Sequence, residues 1–62
     1  MRVMDIAIRM EKSNDRAIVI DKKTNTIYFN GIISDLRSVS WAEYKSVVGI
    51  SLSDNTIILK TR

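Results

Sequence analysis

Apolar and polar residues alternate along much of the chain. From Met4 to Met10, Met4, Ile6, Ile8 and Met10 share one side and Asp5, Ala7 and Arg9 the other, a period of two that predicts a strand. The polar run Glu11, Lys12, Ser13, Asn14, Asp15 predicts a turn. Arg16 to Asp21 reads as a second strand, Lys22 to Asn25 as a second turn, and Thr26 to Ile33 as a third strand.

Hairpin registers follow from the loops. A four-residue loop over Lys22 to Asn25 sets Asp21 opposite Thr26, Ile20 opposite Ile27 and Ile18 opposite Phe29, with all four apolar residues on one side. Near the C-terminal end, Asp54 and Asn55 suit a two-residue loop because both tolerate positive φ. Ser53 then faces Thr56, Leu52 faces Ile57 and Ile50 faces Leu59, with Ser51, Ile58 and Lys60 on the opposite side. Between the hairpins, Ser40 and Glu43 have capping-box spacing, Trp41, Tyr44 and Val48 share one helical face, and Gly49 is placed to end a helix. A short helix near residues 41–48 is the reading adopted. A further strand through Val39 and Trp41 is its rival, since serines and adjacent valines are poor helix formers.

The expected fold is therefore mainly β, a β-rich α+β arrangement in a single small domain, residues 1–62. Five antiparallel strands in the order β-β-β-α-β-β form a small barrel or a curved sheet, with one short helix. Composition agrees: ten Ile and five Val stand against three Leu and three Ala, with no proline to interrupt a strand.

Several chemistries drop out. The chain has no cysteine and no histidine, so disulfides, His/Cys metal sites and His-based catalytic triads are absent. A carboxylate-only site for a hard cation is the one remaining metal option, and no cofactor is expected. Lys45 and Ser46 are neighbours in sequence, but adjacent helical side chains diverge. Of the acids, Glu11, Asp15, Asp21 and Asp54 fall in or beside turns, Glu43 has a capping role and Asp35 before Leu36 suits the start of a turn or a helix, so no pair of carboxylates is forced together in an apolar setting. Gly31 and Gly49 belong to no glycine-rich phosphate loop. Neither an enzyme nor a small-molecule substrate is expected. No apolar run approaches the roughly 18 residues of a membrane helix and no signal-peptide pattern is present, so the expectation is a cytoplasmic chain without a membrane partner.

Partner chemistry rests on the outer sheet face. Parity places Ala7, Ala17, Val19, Tyr28 and Ile58 there, with Ile32 adjoining, and one short helix covers only one face. Burying an Ile or Val is worth about 1.5–3 kcal/mol against a total stability of about 5–15 kcal/mol, so several wet side chains call for a cover. The leading expectation is a non-enzymatic interaction module that binds itself, as a dimer or larger homo-oligomer, or binds another protein. Such modules occur among regulators, inhibitors and phage-like accessory proteins. Val19, Tyr28, Ile32, Ile58 and Trp41 are the interface candidates. The alternative is a nucleic-acid-binding β domain using a basic sheet face with Arg9, Lys22, Lys23, Tyr28, Lys60 and Arg62. Asp5 and Asp21 share that face, and a net charge of +3 is a weak field.

Overall fold

The computed structural model describes residues 1–10 and 15–62. Four strands form one open sheet: β1 (Arg16–Asp21), β2 (Ile27–Ile32), β3 (Val47–Ser53) and β4 (Thr56–Thr61), in spatial order β2-β1-β4-β3. The two hairpins are antiparallel, but β1 and β4 pair in parallel at the centre of the sheet, with Ala17 beside Ile57 and Val19 beside Leu59. The sheet is thus mixed and open, with four strands where a five-stranded antiparallel barrel or curved sheet was expected.

The missing fifth strand is a helix, α1 (Val3–Arg9). The run that alternates also carries helical spacing: Val3, Ile6, Ala7 and Met10 stand at i, i+3, i+4 and i+7. Val3, Ile6 and Ala7 are buried, Met10 is half-buried, and Ile8 is 51% exposed. The Asp5 carboxylate accepts the Arg2 backbone N–H at 2.9 Å, which satisfies one of the orphan donors at the helix start. Arg2 has no side-chain acceptor with which to return the bond. The turn expected over Glu11 to Asp15 lies, apart from Asp15, outside the described residues.

Two 3-10 turns, Ile33–Ser38 and Ser40–Glu43, follow β2; only the second reaches the stretch expected as one helix near residues 41–48, whose last residues enter β3 at Val47. Val39, extended at φ −88°, caps the second turn with no side-chain bond, so the capping box from Ser40 does not form. Val47 and Val48 are β-branched and enter the strand, and Gly49 lies opposite Lys60 within β3 with no positive φ.

Both hairpin loops form where the sequence places them. Asp54 and Asn55 take φ 49° and 62°, and the β3–β4 pairs Ser53/Thr56, Leu52/Ile57 and Ile50/Leu59 are those expected. In the first hairpin, the Asp21 N–H donates to the Thr26 carbonyl at 2.8 Å and Ile20 faces Ile27 as expected. Tyr28 then bulges, so Phe29 faces Val19 rather than Ile18, and Ala17 faces Gly31. A Cβ on Gly31 would lie 3.2 Å from the Phe29 ring, so glycine leaves room for that ring on the sheet.

This bulge, with the parallel β1–β4 pairing, decides which face is covered. α1 and the two 3-10 turns pack against one another, and their Val3, Ile6, Ala7, Ile33, Leu36 and Ala42 form the core with Ala17, Val19 and Leu59 of the sheet. All three alanines are fully buried, small residues where the two layers close. Ala7, Ala17 and Val19, expected on the outer face, are therefore inside, while Ile18, Ile20 and Ile58 are half-buried on the uncovered face. The buried Thr61 hydroxyl donates to the Ile20 carbonyl at 3.3 Å.

If helical and not strand spacing governs residues 3–9, neighbouring isoleucines differ sharply. Ile6→Ala is expected to cost about 2–5 kcal/mol and Ile8→Ala within about 0.5 kcal/mol, measured by urea unfolding. Equal losses would restore the strand reading.

Candidate interaction surfaces

The first surface is a groove of about 460 Å³ between α1 and the β3–β4 hairpin. Met1, Ile6, Met10, Ile50, Leu52 and Ile57 line it, with Arg9, Asp15 and Ser51 supplying its polar groups. β3 is an edge strand. Because Ser53 and Thr56 close a two-residue loop, the backbone groups of Ser53 and Ser51 point to β4 and those of Leu52 and Ile50 point away from it. The edge is covered at its start, where Val47 N–H donates to the Met1 carbonyl at 2.7 Å and Val3 N–H to the Lys45 carbonyl at 3.0 Å. Among the described residues no strand pairs with it further along. Ile50 and Leu52 are 57% and 74% exposed, and no charged residue stands between Ser46 and Ser53. Natural edge strands usually carry a charge or a proline against stray pairing.

The second surface is an aromatic and basic cleft of about 440 Å³ lined by Trp41, Tyr44, Lys45, Ser46 and Arg62. The Tyr28 bulge carries its ring beside Trp41, with centroids 6.0 Å apart and planes inclined 59°, a tilted aromatic pair. The Lys45 ammonium lies 4.1 Å from the Tyr28 ring centroid, within cation–π range. Trp41 is half-buried against the core, whereas Tyr44 is 77% exposed. Lys22 N–H donates to the Thr61 carbonyl at 2.9 Å, which brings the first hairpin turn beside Arg62.

The residues singled out from sequence are divided among these places. Val19 is buried in the chain's own core and offers no contact surface, which corrects its reading as an interface residue. Tyr28 and Trp41 come together beside the aromatic cleft. Ile32 and Ile58 lie half-buried on the uncovered face, Ile32 beside Arg16 and Ile58 beside Ile18. Of the basic residues, Lys22 and Lys23 occupy the first hairpin turn, Lys60 the uncovered face and Arg62 the aromatic cleft. Arg9 sits in the last turn of α1, because its segment is helical, so these five basic residues do not share one sheet face. The sequence reading missed Ile50 and Leu52 as exposed residues and gave Tyr44 and Lys45 no binding role. Its available signal for the first pair was the uncharged run from Ser46 to Ser53.

Asp21 fixes the first hairpin turn beside the cleft. Its carboxylate accepts the backbone N–H groups of Lys23 at 2.7 Å and Thr24 at 2.9 Å, and the Tyr28 hydroxyl at 3.1 Å. The backbone bonds from Thr24 and then Lys23 are the main cause holding its pKa below the ordinary 3.8, with the Tyr28 hydroxyl adding to them and desolvation opposing. Among the described residues no group of three or more acids gathers to hold a metal ion, and no helix is long and apolar enough to cross a membrane. No family model, curated protein or solved structure matches the chain.

A lowered carboxyl pKa contributes stability above its ordinary value and loses it as pH falls through the folded value. Asp21→Asn, which keeps an acceptor oxygen but does not titrate, is expected to flatten the loss of stability below pH 3.8. Urea unfolding across an acid pH series reads this out, and an acid limb as steep as that of the parent protein contradicts it.

Proposed function

We propose that this chain is a β-rich interaction module that works by self-association through the β3 edge and its adjoining groove. The reading is of a binding protein rather than a catalyst. β3 of one copy pairs antiparallel with β3 of a second across a two-fold axis, joining two four-stranded sheets into one.

One observation carries the reading. Ile50 and Leu52 direct their backbone donors and acceptors to the open edge while their exposed side chains line the groove. A pairing strand satisfies both at once. The occupant is a second copy because the segment is self-complementary. It is uncharged from Ser46 to Ser53, so antiparallel self-pairing brings no like charges together. Two-fold symmetry also sets each copy's Leu52 and Ile50 beside the other's, so both apolar strips leave water together. Each edge strand carries one bulge, at Tyr28 in β2 and at Val48 in β3, and the β3 bulge lies beside Val47, where Met1 already covers the edge and leaves Ile50 to Ser53 regular.

Light scattering over a concentration series is expected to give twice the 7.1 kDa chain mass at high concentration. Leu52→Lys, at a residue 74% exposed, is expected to leave circular dichroism unchanged and hold the chain as a monomer. Ile27→Lys, at the opposite sheet edge, is expected to leave the dimer intact. A parent protein that stays monomeric, or a dimer lost with Ile27→Lys and kept with Leu52→Lys, overturns the proposal.

A further inference from the structure

A second surface points to a different partner, independently of the β3 edge. Three of the chain's four aromatic residues, Tyr28, Trp41 and Tyr44, lie in or beside the cleft that also holds Lys45 and Arg62. We infer that this cleft binds single-stranded nucleic acid, with a base stacked on Tyr44 against Trp41 and the flanking phosphates on Lys45 and Arg62.

The chemistry of the walls selects this ligand. Tyr44 presents most of its ring to solvent, and nothing in the chain's own core requires an exposed ring there. Every base has a face that stacks on such a ring, and an aromatic platform beside cations is how proteins hold single strands without reading sequence. An acidic peptide would satisfy Lys45 and Arg62 but leave the Tyr44 ring unused. A duplex keeps its bases stacked on one another and has no free face to offer. The cleft, about 440 Å³, is of a size for one or two nucleotides.

Two carboxylates lie nearby. Asp21 is engaged by the Lys23 and Thr24 amides and the Tyr28 hydroxyl, which turns it toward the hairpin. Glu43 is exposed next to Tyr44, and the Arg2 guanidinium donates to its backbone carbonyl at 3.3 Å, placing a further cation there. The Tyr28 ring under the Lys45 ammonium, beside the cleft, holds that lysine at the cleft wall.

Trp41 is the sole tryptophan, so its fluorescence reports the site directly. Titration with a twelve-residue oligodeoxythymidylate at low salt is expected to quench it saturably. Affinity should fall on a log-log plot against salt, by about 0.7 for each phosphate held. Tyr44→Ala, at an exposed position, is expected to weaken binding roughly ten-fold or more. Lys45→Ala is expected to reduce the salt slope by about 0.7. Lys60→Ala, on the uncovered sheet face, is expected to change neither. Absence of quenching at low salt overturns the inference. So does equal weakening by Lys60→Ala, equal affinity for a duplex of the same length, or displacement by polyglutamate at matched charge.

Discussion

The parallel pairing of β1 with β4 is the contact on which the remaining structure depends. It joins two hairpins that are each complete within themselves and sets Ala17 and Val19 of one beside Ile57 and Leu59 of the other. Neither pair alone makes a strip wide enough to seat a second layer. Together they give α1 and the 3-10 turns a continuous apolar bed, from which the core of nine buried apolar residues is built. The hydrogen bond from Ile33 N–H to the Asp15 carbonyl at 2.8 Å and that from Lys22 N–H to the Thr61 carbonyl at 2.9 Å tie β1 at both ends to the rest of the chain.

The same pairing accounts for what the core leaves out. With β1 and β4 at the centre, a covering layer of one seven-residue helix and two short turns seals the central strands first. β3 extends past that cover, so Ile50 and Leu52 lie on the apolar side of the sheet and still meet solvent. Their exposure is a matter of reach rather than of pattern. On the opposite flank, the Tyr28 bulge brings an aromatic ring out of the strand rhythm to meet Trp41 and Lys45. Two surfaces of contrasting chemistry thus arise at the margins of a single small layer, one apolar with open backbone groups and one aromatic with cations.

How legible this was in the sequence depended on how local its cause is. The β3–β4 hairpin could be read pair for pair because Asp54 and Asn55 hold the positive φ values its loop requires. The first hairpin could be read as far as its Ile20/Ile27 rung, since the loop alone sets that rung. Beyond it, the bulge answers to packing against the helical layer, which no neighbouring residue announces. In residues 3–10 two periodicities overlap. Ile6 and Met10 satisfy both, and only a sheet in need of cover makes the helical set win. The parallel β1–β4 pair is the least local element of all; without it and without the Tyr28 bulge, Ile18 and Ile20 fall on the core side and Val19 on the surface in the sequence reading. Of the candidate surfaces, Tyr28 and Trp41 were picked out for their ring chemistry and do come together. Ile50 and Leu52 were assigned to the apolar side without the knowledge that the cover stops short.

The central claim is that the parallel pair seals the middle of the sheet and leaves the β3 edge for another chain. Amide hydrogen exchange followed residue by residue at several protein concentrations addresses both halves at once. The Val19 and Leu59 amides should be strongly protected at every concentration. Those of Ile50 and Leu52 should exchange fast in dilute solution and slow progressively as concentration rises. Fast exchange at Val19, or Ile50 and Leu52 amides as protected as Leu59 in the most dilute sample, would contradict the account.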